Sequence, residues 1–229
     1  MQNIVKITTF LNPLNLIAPH SCRGCGSLGK PLCNCCKNYI INSRENYCPN
    51  CKAKNKTGNC KNCKDLPKIF IVAERSSLVG KLIYDFKFSS VRALSTPLAE
   101  LLDQVLPKIP GNVKIVPLPT IAKHVRARGL DHTYLIAKSL SNLRNYKTER
   151  LLLRAKNTVQ VGASENTRKK QAETAYKLAK NAEIDKEATY ILLDDIWTTG
   201  ASMKAAVKKL RQAGVSKIVI AILAVNRLD

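Results

Sequence analysis

Five hydrogen-bonding residues, Asp194, Asp195, Thr198, Thr199 and Ser202, crowd around Gly200 in the stretch "ATYILLDDIWTTGASMKAAVKKLRQAG". An apolar run precedes them and a helix-like run follows, so they stand at a strand-to-helix junction. Ordinary helix capping by one threonine would account for a single hydroxyl. It leaves two adjacent carboxylates unexplained, since a strand end would have to desolvate them. A socket for a 5-phosphorylated ribose uses every residue. The carboxylates accept hydrogen bonds from vicinal hydroxyls, while the loop from Thr198 through Gly200 and Ala201 to Ser202 offers backbone N–H groups to the phosphate. The helix dipole favours an anion at that point. Gly200 permits close backbone approach.

A second constellation is metal-binding. Cys22-x2-Cys25, Cys33-x2-Cys36, Cys48-x2-Cys51 and Cys60-x2-Cys63 are four CxxC knuckles within 42 residues. Two knuckles complete a tetrahedron around Zn²⁺, so four predict two structural zinc ions with four thiolates each. Sequential pairing gives two ribbons, and alternate pairing gives a cross-braced unit. Cys35 is the odd cysteine and reads as a bystander. Disulfides are the competing reading, disfavoured by the odd count and the absence of a secretory signal.

These residues need a scaffold. All nine cysteines lie between residues 20 and 66, where neither helical nor strand periodicity is visible. The expected organisation is a lead-in segment over 1–19 (a short helix), a double zinc-ribbon-like module over 20–66 and an α/β domain over 67–229. From Ile69 onward strand-like and helix-like patterns alternate. "IFIVAE", "KIVPLP", "ERLLLRA", "ATYILLD" and "KIVIAILAV" read as strands. "LVGKLIYDFKF", "TPLAELLDQVL" (Thr96 as N-cap, Pro97 first), "DHTYLIAKSLSNL", "SENTRKKQAETAYKLAKNAEI" (capped by Ser164 or Asn166) and "SMKAAVKKLRQAG" read as helices. This alternation predicts a parallel sheet with helices on both faces, binding ligands at the carboxyl ends of its strands. The acids lie at such an end.

"YILLDDIWTTGAS" resembles the 5-phosphoribosyl 1-pyrophosphate (PRPP) motif of type I phosphoribosyltransferases. More narrowly, the chain resembles the ComF family of competence proteins (ComFC, related to GntX), in which a Cys-rich zinc module precedes a phosphoribosyltransferase-like domain. "LIYDFKF", "VPLPTIAKHVRARGLDH" and "QVGASENTRKKQAETAY" carry the narrower likeness. The chain departs from it at Arg128-Gly129-Leu130-Asp131-His132, where the family usually has Arg-Gly-Phe-Asn-Gln, and at Gln171, where an Asn is common. The resemblance implies a type I phosphoribosyltransferase-like sheet and PRPP held by residues 194–202, with Mg²⁺. It also implies a role in natural transformation, handling incoming single-stranded DNA in the cytoplasm beside a helicase-like partner.

Displacing pyrophosphate requires its charge to be neutralised and an acceptor to be held opposite. Arg126 and Arg128, in a basic loop after the "VPLP" strand, are the first candidates for the pyrophosphate, Lys123 is next, and Lys87 and Arg168 are second-tier. Each has an ordinary alternative as general basic surface. His124 and His132 flank the same loop and read as surface residues. Trp197 either stacks on a ribose or base or packs against the neighbouring helix. No residue specifies an acceptor.

Composition supports a polyanionic partner. With 38 Lys+Arg against 16 Asp+Glu, the formal charge is +22. Each zinc with four thiolates carries −2, so two such sites lower this to about +18. Such a field attracts nucleic acid, although a lysine-rich solvated surface gives the same number. Aromatic content is only 5%, with Tyr39, Tyr47, Phe86, Phe88 and Trp197 as stacking candidates. No stretch reaches the roughly 20 apolar residues of a membrane span. Three functions stay open: a protein that handles nucleic acid and binds a phosphoribosyl ligand; an active phosphoribosyltransferase; and a zinc-ribbon regulator that senses PRPP.

Overall fold

The computed structural model describes residues 20–55, 57–89, 91–155 and 175–226. Five strands form one parallel sheet in the order β1-β7-β6-β2-β3: β1 (Lys68–Glu74), β2 (Val113–Pro117), β3 (Lys147–Thr148), β6 (Thr189–Trp197) and β7 (Ile218–Val225). Strand β7, IVIAILAV, is apolar throughout. Every residue of β7 is buried, as a strand covered on both faces requires.

One face of the sheet packs on α2 (Leu78–Phe88), α3 (Ser95–Val105) and α5 (His132–Arg144). The other face packs on α6 (Ala201–Gln212) and on a two-stranded antiparallel sheet of β4 (Leu152–Arg154) and β5 (Tyr176–Leu178). The parallel α/β sheet with helices on both faces follows from the alternation in the sequence.

Several local expectations change. "ERLLLRA" does not enter the main sheet. It supplies β4, and Lys147–Thr148 takes the edge of the parallel sheet instead. Apolar alternation marks a strand without specifying its partner. The long charged helix is not found over Tyr176–Leu178, where pairing with β4 overrides helical propensity. The caps Ser164 and Asn166, and Arg168 and Gln171, lie outside the described residues, as does the lead-in over 1–19. Thr96 is not an N-cap, because a 3₁₀ turn (Arg92–Leu94) runs straight into α3 and Leu94 occupies the cap position. Pro97 remains within the first turn, where no helical N–H is lost. The expected basic loop after β2 is a short helix, α4 (Ala122–Arg128), with no buried residue.

The cysteine segment packs directly on this body. Cys22, Leu32 and Ile40 join the core cluster that contains α2 and α3. Helix α1 (Asn34–Asn42) is tied down by Lys37 Nζ, 2.7 Å from Glu100 Oε2 of α3. Further on, Arg211 of α6 donates to the Asp65 carbonyl at 2.9 Å.

Candidate functional site

The two acids lie within β6, whose last residue is Trp197. Successive strand residues face opposite sides of a sheet, and these two carboxylates diverge accordingly. Asp195 is buried against α2, where its Oδ2 lies 2.5 Å from Lys87 Nζ. Asp194 turns to the α6 face and borders a small cavity of about 50 Å³ with Trp197, Thr198, Gly200, Ser202 and Met203. Burial and the adjacent Asp195 charge push the Asp194 carboxyl up to about 8, with Lys87 and Arg154 acting against them. A hydrogen bond from the Asp195 N–H to Asp194 Oδ1 (2.9 Å) fixes its orientation.

The loop after β6 is shaped by one contact. Gly200 sits at φ +74 as the N-cap of α6, and a Cβ there would lie 2.1 Å from Trp197 Cζ2. Trp197 is 2% exposed and belongs to the core, so of the two alternatives it packs rather than stacks on a ligand. Thr198, Thr199, Ala201 and Ser202 are exposed around it. No side chain caps α6 in the usual sense. Thr199 Oγ1 accepts from the Ala201 N–H at 3.4 Å, and the rest of the first turn must be met from outside the helix. The buried Tyr176 hydroxyl of β5 faces Ser202; burial pushes its pKa up, and the Arg154 charge and hydrogen bonding to Ser202 act against this.

The basic candidates fall in three places. Lys87 pairs with Asp195 rather than standing free. Arg128 lies over the Phe88 ring, 4.8 Å from its centroid. Arg126 lines a cavity of about 850 Å³ between the end of β2, α4 and the paired strands β4 and β5. That cavity also holds Arg150, Arg154 and Lys177, three cations missed from the sequence. In the sequence their one signal is the arginine pair flanking "LLL". Asp131 partly balances them through Arg150 Nη2 at 3.3 Å. Lys123 and His124 are exposed on α4.

His132 corrects an expectation. It is 2% exposed, packed edge-on to Phe86 with centroids 4.7 Å apart. Burial pushes its pKa below the usual range. A hydrogen bond with the Phe86 backbone opposes this, and the charges of Arg128 and Lys87 reinforce it.

The cysteines form two groups, Cys22/Cys25/Cys33/Cys36 and Cys48/Cys51/Cys60/Cys63, with the sulfurs of each group within 4.8 Å of one another. This is the sequential pairing. Four thiolates about 2.3 Å from one Zn²⁺ stand about 3.8 Å apart. Cys25–Cys33 at 3.7 Å, Cys51–Cys60 at 3.4 Å and Cys48–Cys63 at 4.0 Å fit that size. Backbone N–H groups of Gly24 and Cys33 donate to Cys22 Sγ at 3.4 and 3.3 Å, as a thiolate knuckle requires. Each group could therefore hold one structural zinc. Cys35 is exposed and belongs to neither. A basic groove of about 760 Å³ runs between the second group and α6, with Lys64, Lys204, Lys208 and Arg211 on its walls.

No protein-family model matches the chain, and no curated protein sequence does. Among solved structures, the chain is similar to the allosteric regulatory enzyme of purine biosynthesis at 14% identity and a TM-score of 0.39, over 58% of this chain and 26% of that one. It is similar to the UMP synthase of Leishmania donovani at 20% identity and a TM-score of 0.35, over 58% and 23%. It is also similar to the glutamine phosphoribosylpyrophosphate amidotransferase of B. subtilis complexed with ADP and GMP, at 17% identity and a TM-score of 0.40, over 58% and 26%. The chain spans about a quarter of the length of each of these proteins.

Proposed function

We propose that the β6–α6 junction binds PRPP or a related phosphoribosyl ligand, and that the protein acts in natural transformation, handling incoming single-stranded DNA in the cytoplasm. One observation carries the first half. Asp194, the exposed Thr198 and Ser202, and the glycine-capped start of α6 converge on one small cavity at the carboxyl end of a central strand. The helix start and the hydroxyls suit the 5-phosphate. Asp194 suits the ribose hydroxyls.

Mg²⁺ fits as a guest of the ligand. Asp194 with the hydroxyls of Thr198 and Ser202 is a set of hard oxygen donors that completes a shell supplied mainly by phosphates and water. When bound, the ion neutralises charge on the pyrophosphate. Arg126 and Arg128, with Arg168 as a further candidate, add to that neutralisation.

The transformation half rests on the ComF-like motifs, the +22 charge and the basic groove beside α6. A helicase-like partner belongs to that reading. Among the described residues no helix is long and apolar enough to cross a membrane. A second reading, transfer of phosphoribose to an acceptor, is favoured by the 850 Å³ cavity, which offers cationic room next to the site.

Calorimetric titration of PRPP with Mg²⁺ onto the wild type and Asp194→Asn tests the ligand site. Binding that Asp194→Asn weakens severely is expected, and a wild type that binds no PRPP sinks the reading. Pyrophosphate release with a panel of bases separates enzyme from binder. Transformation frequency with Asp194→Ala/Asp195→Ala in a competent host tests the cellular role, and normal uptake with a folded variant overturns it.

A further inference from the structure

Helix α2 carries an aromatic surface that the ligand site does not use. Tyr84 and Phe88 are 59% and 58% exposed, one turn apart, with ring centroids 5.0 Å apart. Large rings left this open are unusual in a chain with 5% aromatic residues, since each forgoes substantial burial. Arg128 of α4 lies over one side of the Phe88 ring, 4.8 Å from its centroid, and adds a guanidinium to the aromatic pair. Lys81, three residues before Tyr84, is exposed on the same helix face, and its Nζ reaches the Arg23 carbonyl at the first cysteine group. The stripe from Lys81 to Phe88 is about 10 Å long. It ends one residue from Lys87, the partner of Asp195.

We propose that Tyr84, Phe88 and Arg128 form a stacking platform for unpaired bases of single-stranded nucleic acid. This rests on the single-stranded DNA half of the proposed function. Aromatic faces interleaved with cations are what a flexible polyanion with exposed bases requires, since every base has a π-face and every linkage a phosphate. The platform is open on its outer side, so one free base gains little there. A strand adds phosphate contacts at Lys81 and Arg128 to each stacked base. Duplex DNA keeps its bases closed and gains only the phosphate contacts. A protein partner would also cover apolar rings, but the cations at both ends of the stripe favour the polyanion.

The test is fluorescence anisotropy of a labelled oligothymidylate of about 20 nucleotides on the full zinc-loaded chain. The comparison includes the wild type and Tyr84→Ala/Phe88→Ala, an abasic strand of equal length and a duplex. Both side chains are exposed, so the variant is expected to fold and to bind PRPP like the wild type. It should lose about 10- to 100-fold in affinity for the base-bearing strand while binding the abasic strand and the duplex unchanged. Undiminished affinity for the base-bearing strand, or an equal loss on the abasic strand or the duplex, overturns the platform. A wild type that binds no single strand overturns the reading beneath it as well. A strand bound equally well by both proteins removes the platform alone.

Discussion

Lys87 Nζ lies 2.5 Å from Asp195 Oδ2, with the two side chains only 15% and 10% exposed. The pair links α2 to β6 across one face of the sheet and gives one of the two adjacent acids a buried counter-charge. A buried carboxylate that loses its counter-charge is costly, typically about 3–5 kcal/mol. Lys87→Met is therefore expected to lower stability on that scale in denaturant titrations. Lys87→Met/Asp195→Asn should recover much of the loss, because it leaves no uncompensated charge. A Lys87→Met variant as stable as the wild type contradicts the pairing.

The neighbouring acid gives a pH signature. Asp194 holds its proton in the folded protein up to about 8, against 3.8 for an ordinary aspartate. Between those values the folded state binds a proton that the unfolded chain releases. The Asp194 contribution to stability is fully present below 3.8, falls as pH rises through this window and levels off above 8. Asp194→Asn should remove that slope. His132 acts in the opposite sense: its depressed folded pKa takes stability away as pH falls below 6.5. The comparison is therefore the difference between wild type and Asp194→Asn, measured by chemical denaturation across the pH range.

Gly200→Ala confronts two obstacles at once, a φ of +74 and a methyl group driven into the Trp197 ring. The backbone conformation alone costs about 1–3 kcal/mol in a non-glycine residue. Displacement of the ring adds to this. Trp197 is the sole tryptophan of the chain, so its emission reports the change without ambiguity. A red shift with loss of PRPP binding is expected. Unchanged emission would show that the loop tolerates a side chain.

Metal analysis of the purified chain should give two zinc ions. Cys22→Ser and Cys48→Ser should each reduce the content to one, while Cys35→Ser leaves two. Because Cys22 sits in the same core cluster as Leu32, Ile40 and α3, chelation at the first site is expected to lower the melting temperature of the whole protein. Retention of two ions by Cys22→Ser would refute the grouping.

The sequence by itself determined the alternation of strands and helices, the eight zinc-type ligands and the junction of acids, hydroxyls and glycine. Each of these is a short-range pattern: a period along the chain, a CxxC spacing, a motif within nine residues. Tertiary structure decided everything that depends on which segments meet. Apolar alternation could not say that Leu152–Arg154 pairs with Tyr176–Leu178 outside the main sheet, because a strand's pattern records burial and not its partner. For the same reason Arg150, Arg154 and Lys177 come together in one cationic cavity only where the β4–β5 pair meets the end of β2. Adjacency in sequence misled in the opposite direction at Asp194 and Asp195. Two neighbouring carboxylates look like one double acceptor, but strand geometry sends them to opposite faces, one to Lys87 and one to the cavity. Lys87 and Asp195 are more than a hundred residues apart along the chain, and only the packing of α2 on the sheet brings their charges together.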